Sequence, residues 1–209
     1  MTAPLARLVL VRHGQTDWNV ARRIQGSTDT ELNARGHWQA QRLAERLAAE
    51  SFSHVICSDA RRAQQTLAPL AARNELSVAL EPRLRERRYG IFEGQVLEEL
   101  TAGPNAGPVA RLRRRDPDFA PDGGETLHQV TTRAVAALAP ALVSGASVLV
   151  VTHGAVLDCL YRHFTGLSLR APRPVEMLNA ALNEVHWHGR AFSVARWADD
   201  GHLLDEAAA

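Results

Sequence analysis

The chain contains no lysine: all 24 of its Lys+Arg residues are arginine. That excludes a P-loop, whose lysine reaches the phosphates of a nucleotide. It also excludes Schiff-base chemistry, which needs a lysine amine. Any fixed clamp for phosphate must then be built from arginine, whose planar fork matches phosphate oxygens. Cysteine is scarce as well. Cys57 and Cys159 sit in or beside apolar segments, which excludes a disulfide scaffold and reads as two reduced, buried thiols in a cytoplasmic protein. No apolar stretch approaches the roughly 20 residues of a membrane span. The N-terminus has one arginine ahead of a short apolar run and no small-residue cleavage site, so it reads as a first strand rather than a signal peptide. Large net charge is absent too. At +1 the chain gives no support to a nucleic-acid or membrane-surface role.

What is present is an alternation of short apolar runs with helical patterns over 209 residues, enough for one well-buried domain with an insertion. Leu8–Val11, Val55–Cys57 and Ser147–Val151 are continuously apolar, as strands buried on both faces are, and Val78–Leu80 reads as a further strand. Asn33 is placed to cap a helix from Ala34 to about Glu50. Helices are also expected through Arg62, Thr66 and Leu70, from Gly124-Glu125-Thr126 through Ala137, and from Ala155 to Phe164. Asn183–His188 and Phe192–Trp197 flank His188-Gly189-Arg190 and read as an antiparallel hairpin at the sheet edge. Arg83–Gly94 is charged and glycine-marked and reads as a surface loop. Thr101–Gly124 carries proline, glycine and the run Arg113-Arg114-Arg115 and reads as an inserted lid. The fold expected is an α/β three-layer α/β/α sandwich: a single domain over 1–209, with a mostly parallel central sheet, an antiparallel edge strand and a lid subdomain around 95–124. An exposed edge strand could pair into a homodimer.

The first apolar run closes in Arg12-His13-Gly14 and the run Ser147–Val151 in Thr152-His153-Gly154. Strand ends are where open α/β sheets bind ligands. Two imidazoles and a guanidinium gathered there would hold a phosphate without a metal. The other histidines (His37, His54, His128, His163, His186, His188, His202) fit no metal-ligand spacing, and His186 and His188 alternate along an expected edge strand.

Arg12-His13-Gly14-Gln15-Thr16-Asp17-Trp18-Asn19, taken with Thr152-His153-Gly154, resembles the histidine phosphatase superfamily, the phosphoglycerate mutase-like fold. Ser58-Asp59-Ala60-Arg61-Arg62 resembles that family's second motif. Leu84-Arg85-Glu86, followed by Tyr89-Gly90-Ile91-Phe92-Glu93-Gly94, resembles the segment carrying its acid. Gly124-Glu125-Thr126 resembles a further element. Each motif is short; together, in this order, they are specific. The resemblance implies that His13 is the nucleophile, attacking phosphorus through one ring nitrogen while a backbone carbonyl near Gly14 holds the other. It implies that Arg12, Arg62 and His153 hold the non-bridging oxygens, His153 contributing fully only as a cation, with Asn19, Gly14 and the Ala155 N–H as further phosphate-binding groups. It makes Glu86 the general acid and then the base, ahead of Glu93 and Glu125, and picks Arg62 over its neighbour Arg61.

A metal-independent phosphomonoesterase acting on a small phosphorylated metabolite is therefore expected, with no cofactor. The alternatives are a cofactor-dependent mutase and a phosphate-binding regulatory protein. Mutases resemble one another in a longer insertion after the acid and in a lysine for the substrate carboxylate, and this chain has neither. Specificity is expected to come from the 20–32 loop, Tyr89 and the 101–124 insertion, where Arg111 and Arg113–Arg115 could reach an anionic substrate.

Overall fold

The computed structural model describes residues 5–101 and 103–204. The ends of the expected 1–209 domain, and residue 102 within the insertion, lie outside the described residues. In chain order the elements are β1 (Ala6–Arg12), α1 (Asp17–Val20), α2 (Ala34–Arg46), β2 (His54–Cys57), α3 (Arg61–Asn74), β3 (Ala79–Leu80), α4 (Ala106–Arg113), α5 (Leu127–Leu138), β4 (Ala146–Thr152), α6 (Gly154–Thr165), β5 (Leu182–Trp187) and β6 (Phe192–Asp199).

The strands form one sheet in the order β3-β2-β4-β1-β5-β6. β1 and β2 each run parallel to β4, and β3 runs parallel to β2. β5 is antiparallel to β1 and to β6, so the C-terminal hairpin forms one edge as expected. β6 is the outermost strand, which places His186 one strand in from the edge and His188 in the turn.

Period-two alternation decides which helices cover which face. Leu8, Leu10, Val148 and Val150 pack with Leu127, Val130, Leu157 and Leu160 of α5 and α6. Val9, Val11, Leu149 and Val151 pack with Leu43, Leu47, Leu67 and Leu70 of α2 and α3. Both faces are covered, which is why these strands read as unbroken apolar runs. Asn33 caps α2 by accepting the Gly36 N–H. Thr126 and Gln129 form a reciprocal capping box on α5.

The segment 83–94 departs from expectation. It is not a surface loop: Leu84, Arg87 and Phe92 are almost wholly buried. Its polarity is satisfied internally, because Arg87 donates through Nε to the Glu125 carbonyl and through Nη2 to the Phe119 carbonyl. Gly90 (φ +53°) lets the chain turn where a Cβ would meet the Asp122 carbonyl oxygen. Phe92 then anchors a small apolar cluster with Val109 and Leu112 of the insertion.

Candidate active site

The β1–β4 register pairs Arg12 with Thr152. The next residue on each strand is therefore a histidine at the same sheet edge. His13 donates its backbone N–H to the Thr152 carbonyl at 2.9 Å, and the two rings stand 5.1 Å apart between centroids.

His13 is 2% exposed. Its Nδ1 lies 2.7 Å from the Gly14 carbonyl oxygen. A carbonyl only accepts, so Nδ1 carries the proton and Nε2 keeps its lone pair. Burial, and then the charges of Arg12 and Arg62, hold His13 well below the usual imidazole range. The ring is neutral at physiological pH. Gly14 itself faces away from any ligand: its N–H goes to Thr66 Oγ1 at 2.8 Å, and a Cβ there would meet the Gly36 carbonyl at 2.7 Å. The N–H expected to meet phosphate is thus committed within the protein, and the Gly14 carbonyl fixes the His13 ring.

His153 is held inside the protein. Its Nδ1 accepts from Arg62 Nε at 3.2 Å, so its Nε2 carries the proton, 2.8 Å from Ser58 Oγ. Burial beside Arg62, His13 and Arg12 holds its pKa well down. The ring expected to hold phosphate as a cation thus orients Arg62 in this structure.

Arg62 is 1% exposed and lies in the first turn of α3. Beyond its bond to His153 it donates to the carbonyls of Thr28 and Gly26 and, at 3.5 Å, to Thr30 Oγ1. Of five N–H donors, one on Nη2 remains for a ligand. Arg61 turns outward and pairs with Glu31. Arg12 has more to offer: only Nη1 is bonded, to the Met177 carbonyl at 2.6 Å, and Nε is buried without a partner. Asn19 uses Oδ1 to accept from the Thr16 N–H and from Asn179, which leaves its Nδ2 at the cavity.

Glu86 accepts from the Ala155 N–H with both oxygens, at 3.2 and 3.1 Å, and from the Arg87 N–H at 2.7 Å. The Ala155 N–H, expected to meet phosphate, is bonded to the Glu86 carboxylate in this structure, and Ala155 lines the cavity. The first turn of α6 has no side-chain cap of its own. Glu86 supplies one from 69 residues away. Glu93 and Glu125 have structural partners instead: Glu93 accepts from Ser27, Thr28 and the Tyr89 N–H, and Glu125 from Arg133.

These groups line a cavity of about 250 Å³. The 20–32 loop supplies part of the wall, Tyr89 another, and the insertion supplies Leu112 and Arg115. Of the expected basic run only Arg115 reaches it, and it also pairs with Asp158. Arg111 pairs with Asp116 and stacks on Phe119. Sequence reasoning missed Ser58, Thr66 and Asn179, which hold His153, Gly14 and His13. Only Ser58 had a local signal, closing β2 as the histidines close β1 and β4. Arg23 and Arg87 complete the wall, so five arginines face Glu86 as the one lining carboxylate.

The model for the histidine phosphatase superfamily (branch 1) matches residues 8–200. Phosphoglycerate mutase-like protein 4 of Arabidopsis thaliana is 39% identical over 95% of this chain and 87% of its own length. The structure of Bacillus stearothermophilus YhfR superposes with a TM-score of 0.89 at 31% identity, covering 95% of this chain and 99% of that one. A mycobacterial glucosyl-3-phosphoglycerate phosphatase, solved in complex with VO3, gives a TM-score of 0.81 at 32% identity, over 94% of this chain and 100% of that one. With the match spanning nearly all of the sheet and both histidine-bearing strand ends, the chain belongs to branch 1 of the histidine phosphatase superfamily.

Proposed function

We propose that the protein hydrolyses a small phosphomonoester in two displacements through a phosphohistidine on His13. The observation that carries this is the tautomer of His13. Its Nδ1–H is fixed by the Gly14 carbonyl, and Nε2 is left as a lone pair at a cavity lined by Arg12, Arg62 and Glu86. In the first step Nε2 attacks phosphorus and the bond to the leaving oxygen breaks. Glu86, as the acid, gives that oxygen its proton. In the second step Glu86, now a carboxylate, takes a proton from water, whose oxygen attacks phosphorus. The P–N bond breaks, inorganic phosphate leaves and His13 returns to its starting form. Arg12 and Arg62 stabilise charge spread over the equatorial oxygens.

Cavity size and charge support a substrate class. About 250 Å³ lies just below the usual ligand-pocket range of roughly 300–1,000 Å³, which favours a metabolite over a phosphoprotein. A phosphate dianion and the Glu86 carboxylate together offset three of the five lining arginine charges, so a positive surplus remains. That favours a phosphomonoester bearing a second acidic group, and the mycobacterial relative is named for a substrate containing phosphoglycerate, a carboxylate. The relatives named as mutase-like favour a second reading, transfer of the phosphoryl group back to a rebound product.

The test is steady-state turnover of a phosphomonoester panel in EDTA, beside an assay for interconversion of 3- and 2-phosphoglycerate. Hydrolysis that persists in EDTA, prefers acidic phosphomonoesters and falls at least about 10⁴-fold in His13→Ala supports the proposal. Isomerisation outrunning hydrolysis would establish the mutase. Binding of phosphate without turnover of any substrate would leave a regulatory protein.

A further inference from the structure

Glu86 sits in no helix or strand, yet its carboxylate must hold a fixed position. Backbone groups in such a segment need partners from elsewhere. Thr152 Oγ1 donates to the Leu84 carbonyl at 2.8 Å, and one side chain provides for the three other carbonyls from 83 to 86. Arg133, on α5, gives Nη1 to the carbonyls of Arg83 (2.6 Å) and Arg85 (2.7 Å) and Nη2 to the carbonyl of Glu86 (3.1 Å). Its Nε and Nη2 also grip the two oxygens of Glu125 at 2.9 and 3.0 Å. All five donors of the guanidinium are used.

Glu125 closes the clamp from the other side. Its Oε2 accepts the Arg88 N–H at 3.0 Å, and its own N–H goes to the Arg88 carbonyl at 3.0 Å. The segment before Glu86 is thus held by Arg133 and the segment after it by Glu125, and the two holders are paired with each other. Arg133 does not line the cavity of His13.

We propose that the Arg133–Glu125 pair is the positioning device of the acid: it sets where the Glu86 carboxylate stands relative to His13 and touches no substrate. The proposal rests on Glu86 being the acid. Its signature follows from that dependence. An acid matters most when the leaving group is a poor one. A displaced acid should therefore steepen the dependence of kcat/KM on leaving group, whereas a general loss of structure lowers every substrate alike.

The experiment compares kcat/KM for 4-nitrophenyl phosphate and phenyl phosphate in the wild type, Glu86→Gln, Arg133→Met, Arg133→Lys and the double variant Glu86→Gln/Arg133→Met. Glu86→Gln is expected to raise the nitrophenyl-to-phenyl ratio by about 100-fold. Arg133→Met is expected to raise it by about 10-fold or more, and Arg133→Lys, which keeps the charge and three donors, by less. The double variant should match Glu86→Gln, because the two act through one group. If Arg133→Met does not fold, Glu125→Gln, which keeps the shape and removes the charge of the clamp, replaces it with the same expectation. A steep Glu86→Gln beside an unchanged ratio in the clamp variants overturns this proposal alone. So does a double variant whose losses multiply. An unchanged ratio in Glu86→Gln overturns the acid assignment itself and the proposal with it.

Discussion

His13 and His153 are buried, neutral imidazoles whose pKa values lie well below the ordinary range. In the unfolded chain each returns to about 6.5. Below that pH the unfolded chain binds protons that the native protein does not, so stability falls as pH falls and is unaffected by these groups above it. The slope is at most about 1.4 kcal/mol per pH unit for each imidazole. Urea unfolding at pH 7.5 and 5.5 should show this loss, and His153→Asn should shrink it; an unchanged pH dependence in that variant would contradict the assignment. At this scale the identity of both histidines was legible, because each closes an apolar run before a glycine. Where their protons sit was not. The tautomer of His153 is set by Arg62 and Ser58, more than 90 residues away. Arg62 and Arg61 likewise cannot be ranked by composition; what separates them is which one faces the carbonyls of Gly26 and Thr28.

At the scale of elements, legibility followed local signals. Helix α5 begins where Thr126 and Gln129 form their box, and α2 where Asn33 caps it. Replacing Thr126 by alanine should cost about 1 kcal/mol in urea unfolding, since its hydroxyl is the acceptor of the Gln129 N–H; a variant as stable as the wild type would show the cap to be redundant. Where the partner is distant, the signal vanishes. The start of α6 was expected at Ala155, within one residue of where it lies, but its cap, Glu86, had no local signal. The 83–94 segment misled because one of its arginines differs from the rest. Arg83, Arg85 and Arg88 are exposed, whereas Arg87 is buried and bonded to backbone carbonyls, and nothing in the local sequence separates it from its neighbours.

For the whole molecule, a net charge of +1 conceals a local surplus, since the lining of the cavity is strongly positive. Composition gave no support to a general polyanion partner and could not show this concentration of charge. Attraction of that kind is screened over about 10 Å at 0.1 M salt. Raising ionic strength should therefore lower kcat/KM more steeply for a carboxylate-bearing phosphomonoester than for 4-nitrophenyl phosphate; parallel salt curves would mean that the extra arginines do not meet the substrate. The sheet order carries a last consequence, for the way the chain emerges from a ribosome. β1 is made first, but both of its neighbours, β4 and β5, come from residues 146–187. β2 also waits for β4, so before residue 146 is made the chain has only the two-residue β2–β3 pairing of its sheet. β1 stays unpaired until then, in the state where chains with long-range pairing are open to aggregation and to chaperones. His13 therefore acquires its setting only when residues 146–187 arrive.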